Sequence, residues 1–99
     1  MKYSLVIKEE AHEDIHNIYL WYEDQLNDLG ERFLQSLDNC FSDIIHNPFI
    51  FEVKFKDQRH GFLDTFPYIL IYRIEDLAIV VYAVFNTHRN PKVWKDRIK

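Results

Sequence analysis

The sequence predicts an α+β domain: an N-terminal strand, an α-helical hairpin packed on one face of a mainly antiparallel sheet, and a short C-terminal basic tail or helix. Three observations carry this. Two apolar runs, Tyr68 to Ile74 and Leu77 to Phe85, are rich in β-branched and aromatic residues and are parted only by Glu75-Asp76, as in a β-hairpin. Upstream, apolar residues recur every three or four positions through two stretches of helical length. Between these parts, Ile50 to Lys56 alternates as a half-buried strand does.

Taken in order, Tyr3 to Ile7 alternates and carries strand formers, and Lys8-Glu9-Glu10 ends it. The two acids suit the first turn of a helix, where negative charge meets the positive end of the helix dipole. Ala11, Ile15, Ile18, Tyr19, Tyr22 and Leu26 then form one apolar stripe, so the first helix is expected to run to about Asp28. Gly30 marks a break. Phe33, Leu34, Leu37, Cys40, Phe41, Ile44 and Ile45 form a second stripe that ends before Asn47-Pro48, since proline disfavours helix in the residue before it. The short connection makes the helices antiparallel neighbours. Next come the alternating strand, with Phe51, Val53 and Phe55 on one side, a turn at Asp57-Gln58, a strand from His60 to Phe66 weakened by Gly61, and the hairpin. Both hairpin strands are apolar at nearly every position, which places them centrally or covers them on both faces.

Composition bounds the rest. With 99 residues and 47% hydrophobic content, one domain spanning residues 1–99 with a modest core is expected. Its 8 Phe, 6 Tyr and 2 Trp against 2 Gly and 3 Pro predict a chain ordered nearly end to end. The one cysteine, Cys40, lies among Leu37, Phe41 and Ile44 and reads as core filler. No apolar run reaches membrane-spanning length and no secretion signal is evident, so a cytoplasmic protein without membrane partners is the expectation. Charge is divided by region. Residues 1–48 hold three bases against ten acids, and residues 49–99 hold nine bases against six acids. A positive field localised in the second half can attract an anionic partner although the whole chain carries −4.

His12-Glu13-Asp14-Ile15-His16 matches the H-E-x-x-H zinc pattern, yet no third ligand stands out and the Ala11–Ile15 stripe must face the sheet. Boundary histidines and no bound metal are expected. Two glycines cannot build a phosphate cradle or a nucleophile elbow, so no cofactor is implied. Arg59, His60, Arg73, His88, Arg89 and Arg97 with Tyr68, Tyr72 and Trp94 fill the basic half. Such groups suit either phosphate and base stacking or a protein-binding surface.

These residues make the chain resemble the RelE/ParE family of type II toxin–antitoxin toxins, in its ParE-like, plasmid-stabilisation branch. The likeness spans Ala11 and Ile15, Gly30 with Arg32-Phe33, Pro48, Arg59 nine residues before Tyr68, Phe66-Pro67-Tyr68, Tyr72-Arg73, and Arg89-Asn90-Pro91 with Trp94 and Arg97. Asn86 stands where the branch often carries histidine. The resemblance implies a toxin neutralised by a cognate antitoxin, with DNA gyrase or the ribosome and its mRNA as target. It leaves homodimer and toxin–antitoxin hetero-oligomer both open. It also implies that the positions at which RelE-like ribonucleases hold their catalytic groups fall on His60, Phe62, Ile69 and Trp94. Three of these cannot stabilise charge on a transferring phosphoryl group or move a proton. A ParE-like toxin that binds a protein target is therefore the expectation, with Arg59, Arg89, Trp94 and Arg97 as its functional surface. The alternatives are an mRNA interferase using His60, His88 and Arg89 as a substitute catalytic set, and an inactive member that only binds antitoxin.

Overall fold

The computed structural model describes residues 2–90 together with Lys92 and Lys95. The order is β1 (Ser4–Ile7), α1 (Glu9–Gln25), α2 (Leu29–His46), β2 (Val53–Phe55), β3 (Gln58–Phe62), β4 (Tyr68–Glu75) and β5 (Ala78–Asn86). The five strands form one sheet in the order β1-β5-β4-β3-β2. The expected α+β architecture is present, with every pairing antiparallel except that of β1 and β5. Because the helical hairpin lies between them in sequence, β1 reaches β5 by a crossover, and such a connection yields a parallel neighbour.

Glu9 and Glu10 occupy the first turn of α1, as the dipole favours. The helix stops at Gln25, short of Asp28, because Leu26 turns extended and Asp28 takes a left-handed conformation at φ 72°. Aspartate tolerates that conformation better than most residues. At the far end of α2, Asn47 is extended before the buried Pro48.

One face of the sheet carries the helices. Leu70, Tyr72, Ile79, Val81 and Val84 meet Ala11, Phe33, Leu37, Cys40 and Ile44 there, all buried. The opposite face holds a smaller buried cluster, Ile69, Ile71, Ala83 and Phe85, edged by Phe55 and Tyr82. This accounts for the continuous apolar pattern of the hairpin strands, since both of their faces are covered. Ala83 pairs with Ile71 and Val81 with Tyr72, so Tyr82 is an extra residue, a β-bulge. The bulge turns Tyr82 and Ala83 to the same face.

The alternation read over Ile50 to Lys56 is realised only at Val53–Phe55, and not as a single half-buried face. The register shifts between Val53 and Phe55. As a result Phe51 packs with the helix-side core, Phe55 packs with the opposite cluster, and Val53 is 47% exposed on an edge strand. Gly61 has a packing role: a Cβ there would stand 3.1 Å from the Phe51 ring and 3.3 Å from Cys40 Sγ. No helix among the described residues is long and apolar enough to cross a membrane.

Candidate functional site

Arg59 and His60 are neighbours on β3, so their side chains leave opposite faces of the sheet. Arg59 pairs with Tyr72 on the helix side. Rather than reaching outward, its Nη1 donates to the Phe51 carbonyl at 2.7 Å, and its guanidinium lies 5.1 Å from the centre of the Phe49 ring. His60, opposite Ile71, is 8% exposed. Burial, followed by the positive charges of Lys54 and Lys95, pushes its pKa below the ordinary histidine value.

His88 and Arg89 lie in the turn after β5, and Asn86 builds that turn. Its Oδ1 accepts the His88 N–H at 2.8 Å and its carbonyl accepts the Arg89 N–H at 3.1 Å. Asparagine is well suited to this main-chain mimicry. The guanidinium of Arg89 sits 5.7 Å from the centre of the Phe85 ring. Phe85 lies two strands from β3, opposite Ile69, which in turn faces Phe62. At strand spacings near 4.8 Å, the main chains at His60 and Phe85 are on the order of 10 Å apart. Trp94 and Arg97 lie outside the described residues.

The end of β5 also forms a cleft with α1. The last β1–β5 pair is Ile7 with Val81, whereas β5 continues to Asn86. Asp14 of α1 takes the place of the missing strand, its carboxylate accepting the Val84 N–H at 3.1 Å. Asn17, Tyr68, Asn86 and Arg89 join it around a cleft of about 230 Å³. Asp14 and Asn17 were not singled out in the sequence. A signal existed for Asp14, which falls on the stripe of Ala11, Ile15 and Ile18, where a polar residue needs a partner.

Arg73, on the face away from the helices, is held in place. It donates to Glu75 at 2.6 Å, to Tyr82 at 2.7 Å and to Asp57 at 3.4 Å. The hydrogen bond from Arg73, then that from Tyr82, keeps the Glu75 carboxyl below its ordinary pKa. This network pins the bulge. On α1, His12 and His16 are exposed beside Glu9 and Glu13. Among the described residues, no group of three or more His, Cys, Asp or Glu side chains is arranged to hold a metal ion.

The order of the strands and helices, with β1 returning beside β5, can be compared with known proteins. Residues 5–91 match the family described as the ParE toxin of the type II toxin–antitoxin system parDE. The chain belongs to the ParE toxin family. It is thus a type II toxin of the RelE/ParE kind, as the motifs from Ala11 to Arg97 suggested. Solved structures share the fold of this ParE-family chain at low identity. The chromosomal ParDE system from P. aeruginosa matches with a TM-score of 0.75 at 16% identity, covering 86% of this chain and 96% of that one. The toxin–antitoxin complex RelBE2 from Mycobacterium tuberculosis gives 0.64 at 19% identity, covering 87% and 99%. A mutant of the E. coli toxin RelE in the free state gives 0.66 at 19%, covering both chains fully. No curated protein matches the sequence.

Proposed function

We propose that this ParE-family toxin arrests growth by binding a protein target such as DNA gyrase, and that a cognate antitoxin neutralises it. The observation that supports this most is the chemistry of the sheet face opposite the helices. Ile69, at a position where RelE-like ribonucleases carry arginine, is 8% exposed within the Ile71, Ala83 and Phe85 cluster. Phe62 stands on the same face, and Arg73 has its donors engaged by Glu75, Tyr82 and Asp57. Metal-free RNA cleavage needs preorganised charge at the phosphoryl group and paired proton donors and acceptors. His60, His88 and Arg89 would have to converge for the ribonuclease reading, and the roughly 10 Å between the main chains at His60 and Phe85, whose ring Arg89 contacts, does not of itself bring them together. The structural neighbours that are toxin–antitoxin complexes support the antitoxin as partner.

The deciding experiment is expression without antitoxin, with parallel assays for gyrase-linked DNA breaks and for mRNA cleavage. DNA breaks with intact mRNA are expected, reversed when a cognate antitoxin is co-expressed. Ribosome-dependent mRNA cuts without DNA damage would overturn the proposal in favour of an interferase.

A further inference from the structure

We propose that the open edge of β2 is a self-association surface, on which a second copy of this chain pairs antiparallel about a two-fold axis at Val53. This partner is distinct from target and antitoxin, and the inference does not depend on the protein-target reading.

β2 ends the sheet, and among the described residues no strand lies beyond it. The carbonyl of Glu52 accepts the His60 N–H at 3.3 Å, so the main-chain groups of Glu52 point inward to β3. Along a strand these groups alternate in direction. Val53, opposite Arg59, therefore turns its N–H and C=O to the open side. A second strand laid antiparallel with its own Val53 opposite would exchange two main-chain hydrogen bonds at this one residue. The ladder goes no further, because Arg59 takes the Phe51 carbonyl and the register shifts after Val53.

Charge selects both the register and the occupant. Val53 shares the helix-side face of its cross-strand partner Arg59, so Glu52 and Lys54 lie on the other face, where their charged groups are 3.0 Å apart and exposed. With two copies antiparallel about Val53, Glu52 of each stands opposite Lys54 of the other, and four charges alternate in sign. A slip that centres the pairing on Glu52 or on Lys54 sets like charges opposite each other, and so does parallel addition in register. A lone lysine on an edge strand keeps other strands away. Here the acid two residues before it makes the strand its own complement. The link before β2 adds Phe49 and Ile50, large apolar side chains that, like Val53, remain about half exposed. An apolar margin beside an unpaired edge is surface that a second molecule can cover. These contacts are fewer than a permanent dimer holds, so the association is weak and depends on concentration.

The test uses the isolated full-length chain, followed by sedimentation and amide-resolved NMR from about 10 μM to about 1 mM, the range that a contact this small requires. A monomer–dimer equilibrium is expected, with concentration-dependent shifts at Phe49, Glu52, Val53 and Lys54 and slower exchange of the Val53 amide. Glu52→Lys and Lys54→Glu should each weaken self-association by about tenfold, since each sets like charges across the axis. Mixed in equal amounts, these two variants should associate with each other, and the double variant with both changes should regain wild-type dimerisation. A wild-type chain that stays monomeric throughout this range overturns the proposal. So does a dimer whose shifts fall on α1 or β1, or one that neither single reversal weakens and the mixture does not restore. Protection of Val53 that appears only when a cognate antitoxin is added to a monomeric chain also overturns it, and assigns this edge to the antitoxin.

Discussion

Arg59 and Tyr72 face each other across β3 and β4, and each donates to a carbonyl of the segment that links α2 to β2. Tyr72 Oη reaches Pro48 at 2.7 Å and Arg59 Nη1 reaches Phe51 at 2.7 Å. The two side chains hold that link from the same side of the sheet. Tyr72 is fully buried, so Tyr72→Phe keeps the ring and leaves the Pro48 carbonyl without this donor, at a cost of about 1–2 kcal/mol. Arg59 is half-buried, and Arg59→Ala is expected to cost about 1 kcal/mol, from one hydrogen bond and a weak ring contact. In a domain of this size that is a fall in Tm of about 4–8 °C. Both variants should still fold, and Arg59→Ala should retain antitoxin binding while losing growth arrest. Thermal melts with co-purification separate these effects. A Tyr72→Phe variant melting with the wild type would show that the link does not depend on this bond.

The Asp14 carboxylate does for β5 what a neighbouring strand would do. Asp14→Ala should expose the Val84 amide and destabilise the chain by about 1–2 kcal/mol, whereas Asp14→Asn, which keeps an acceptor, should cost less. Hydrogen exchange at Val84 reads this directly. Exchange unchanged in Asp14→Ala would mean that α1 shields the amide without the bond.

The helices and the β4–β5 hairpin were legible in the sequence because each has a long run of consistent periodicity. Three features were not. The partner of β1 depends on which sheet edge the crossover reaches, and Tyr3 to Ile7 carries no mark of it. The bulge that splits Phe51 from Phe55 leaves the alternating pattern intact while turning its residues to different faces. Arg59 offered a charge and a position near a strand end. Its contact with Phe51 comes from a segment whose path only the fold defines. At the end of β5, Arg89 stood out as a family position and Asn86 as a departure from the family's histidine, whereas Asn17 looked like any polar residue on a helix.

Stability should fall at both ends of the pH range. His60 has a folded pKa below its ordinary 6.5, so the unfolded chain binds its proton first. The contribution of neutral His60 is present above pH 6.5 and is lost as pH falls through the folded value. At the alkaline end, burial raises Cys40 from 9.0 to about 12, and Tyr22 and Tyr72 from 10.0 to about 12. Their protonated forms are favoured in the folded state, so their contribution is full below pH 9 and is lost as pH rises toward 12. Denaturant midpoints across pH 5–11 test this. His60→Phe should flatten the acid side and leave the alkaline side unchanged, and an acid limb as steep as wild type would place the titrating group elsewhere.

Gly30 sets two physical effects against each other. It lies in the first turn of α2, where helix propensity alone predicts that Gly30→Ala stabilises by up to about 1 kcal/mol. The packing of α2 on α1 predicts the reverse. A Cβ at Gly30 would stand 2.7 Å from Glu23 Cγ, 2.8 Å from Tyr19 Cδ1 and 2.8 Å from the Tyr19 main-chain oxygen. Side chains can give way, but the Tyr19 carbonyl belongs to a helical turn and cannot move without shifting α1. Glu23 is constrained too, because its Oε2 accepts the Gly30 N–H at 2.7 Å. Moving the Glu23 side chain to admit the methyl would sacrifice that bond. Overpacking of this kind costs about 1–3 kcal/mol, and the lost hydrogen bond adds about 1 kcal/mol, so packing outweighs propensity. Gly30→Ala is therefore expected to lower stability by about 1–3 kcal/mol. The companion variant Glu23→Ala removes both the Cγ clash and the acceptor, and in that background Gly30→Ala should cost less than in the wild type. Equilibrium denaturation of the four proteins in this cycle gives the coupling. A Gly30→Ala variant at or above wild-type stability would show that the helices separate at little cost, and that the close approach at Gly30 is not what fixes the hairpin.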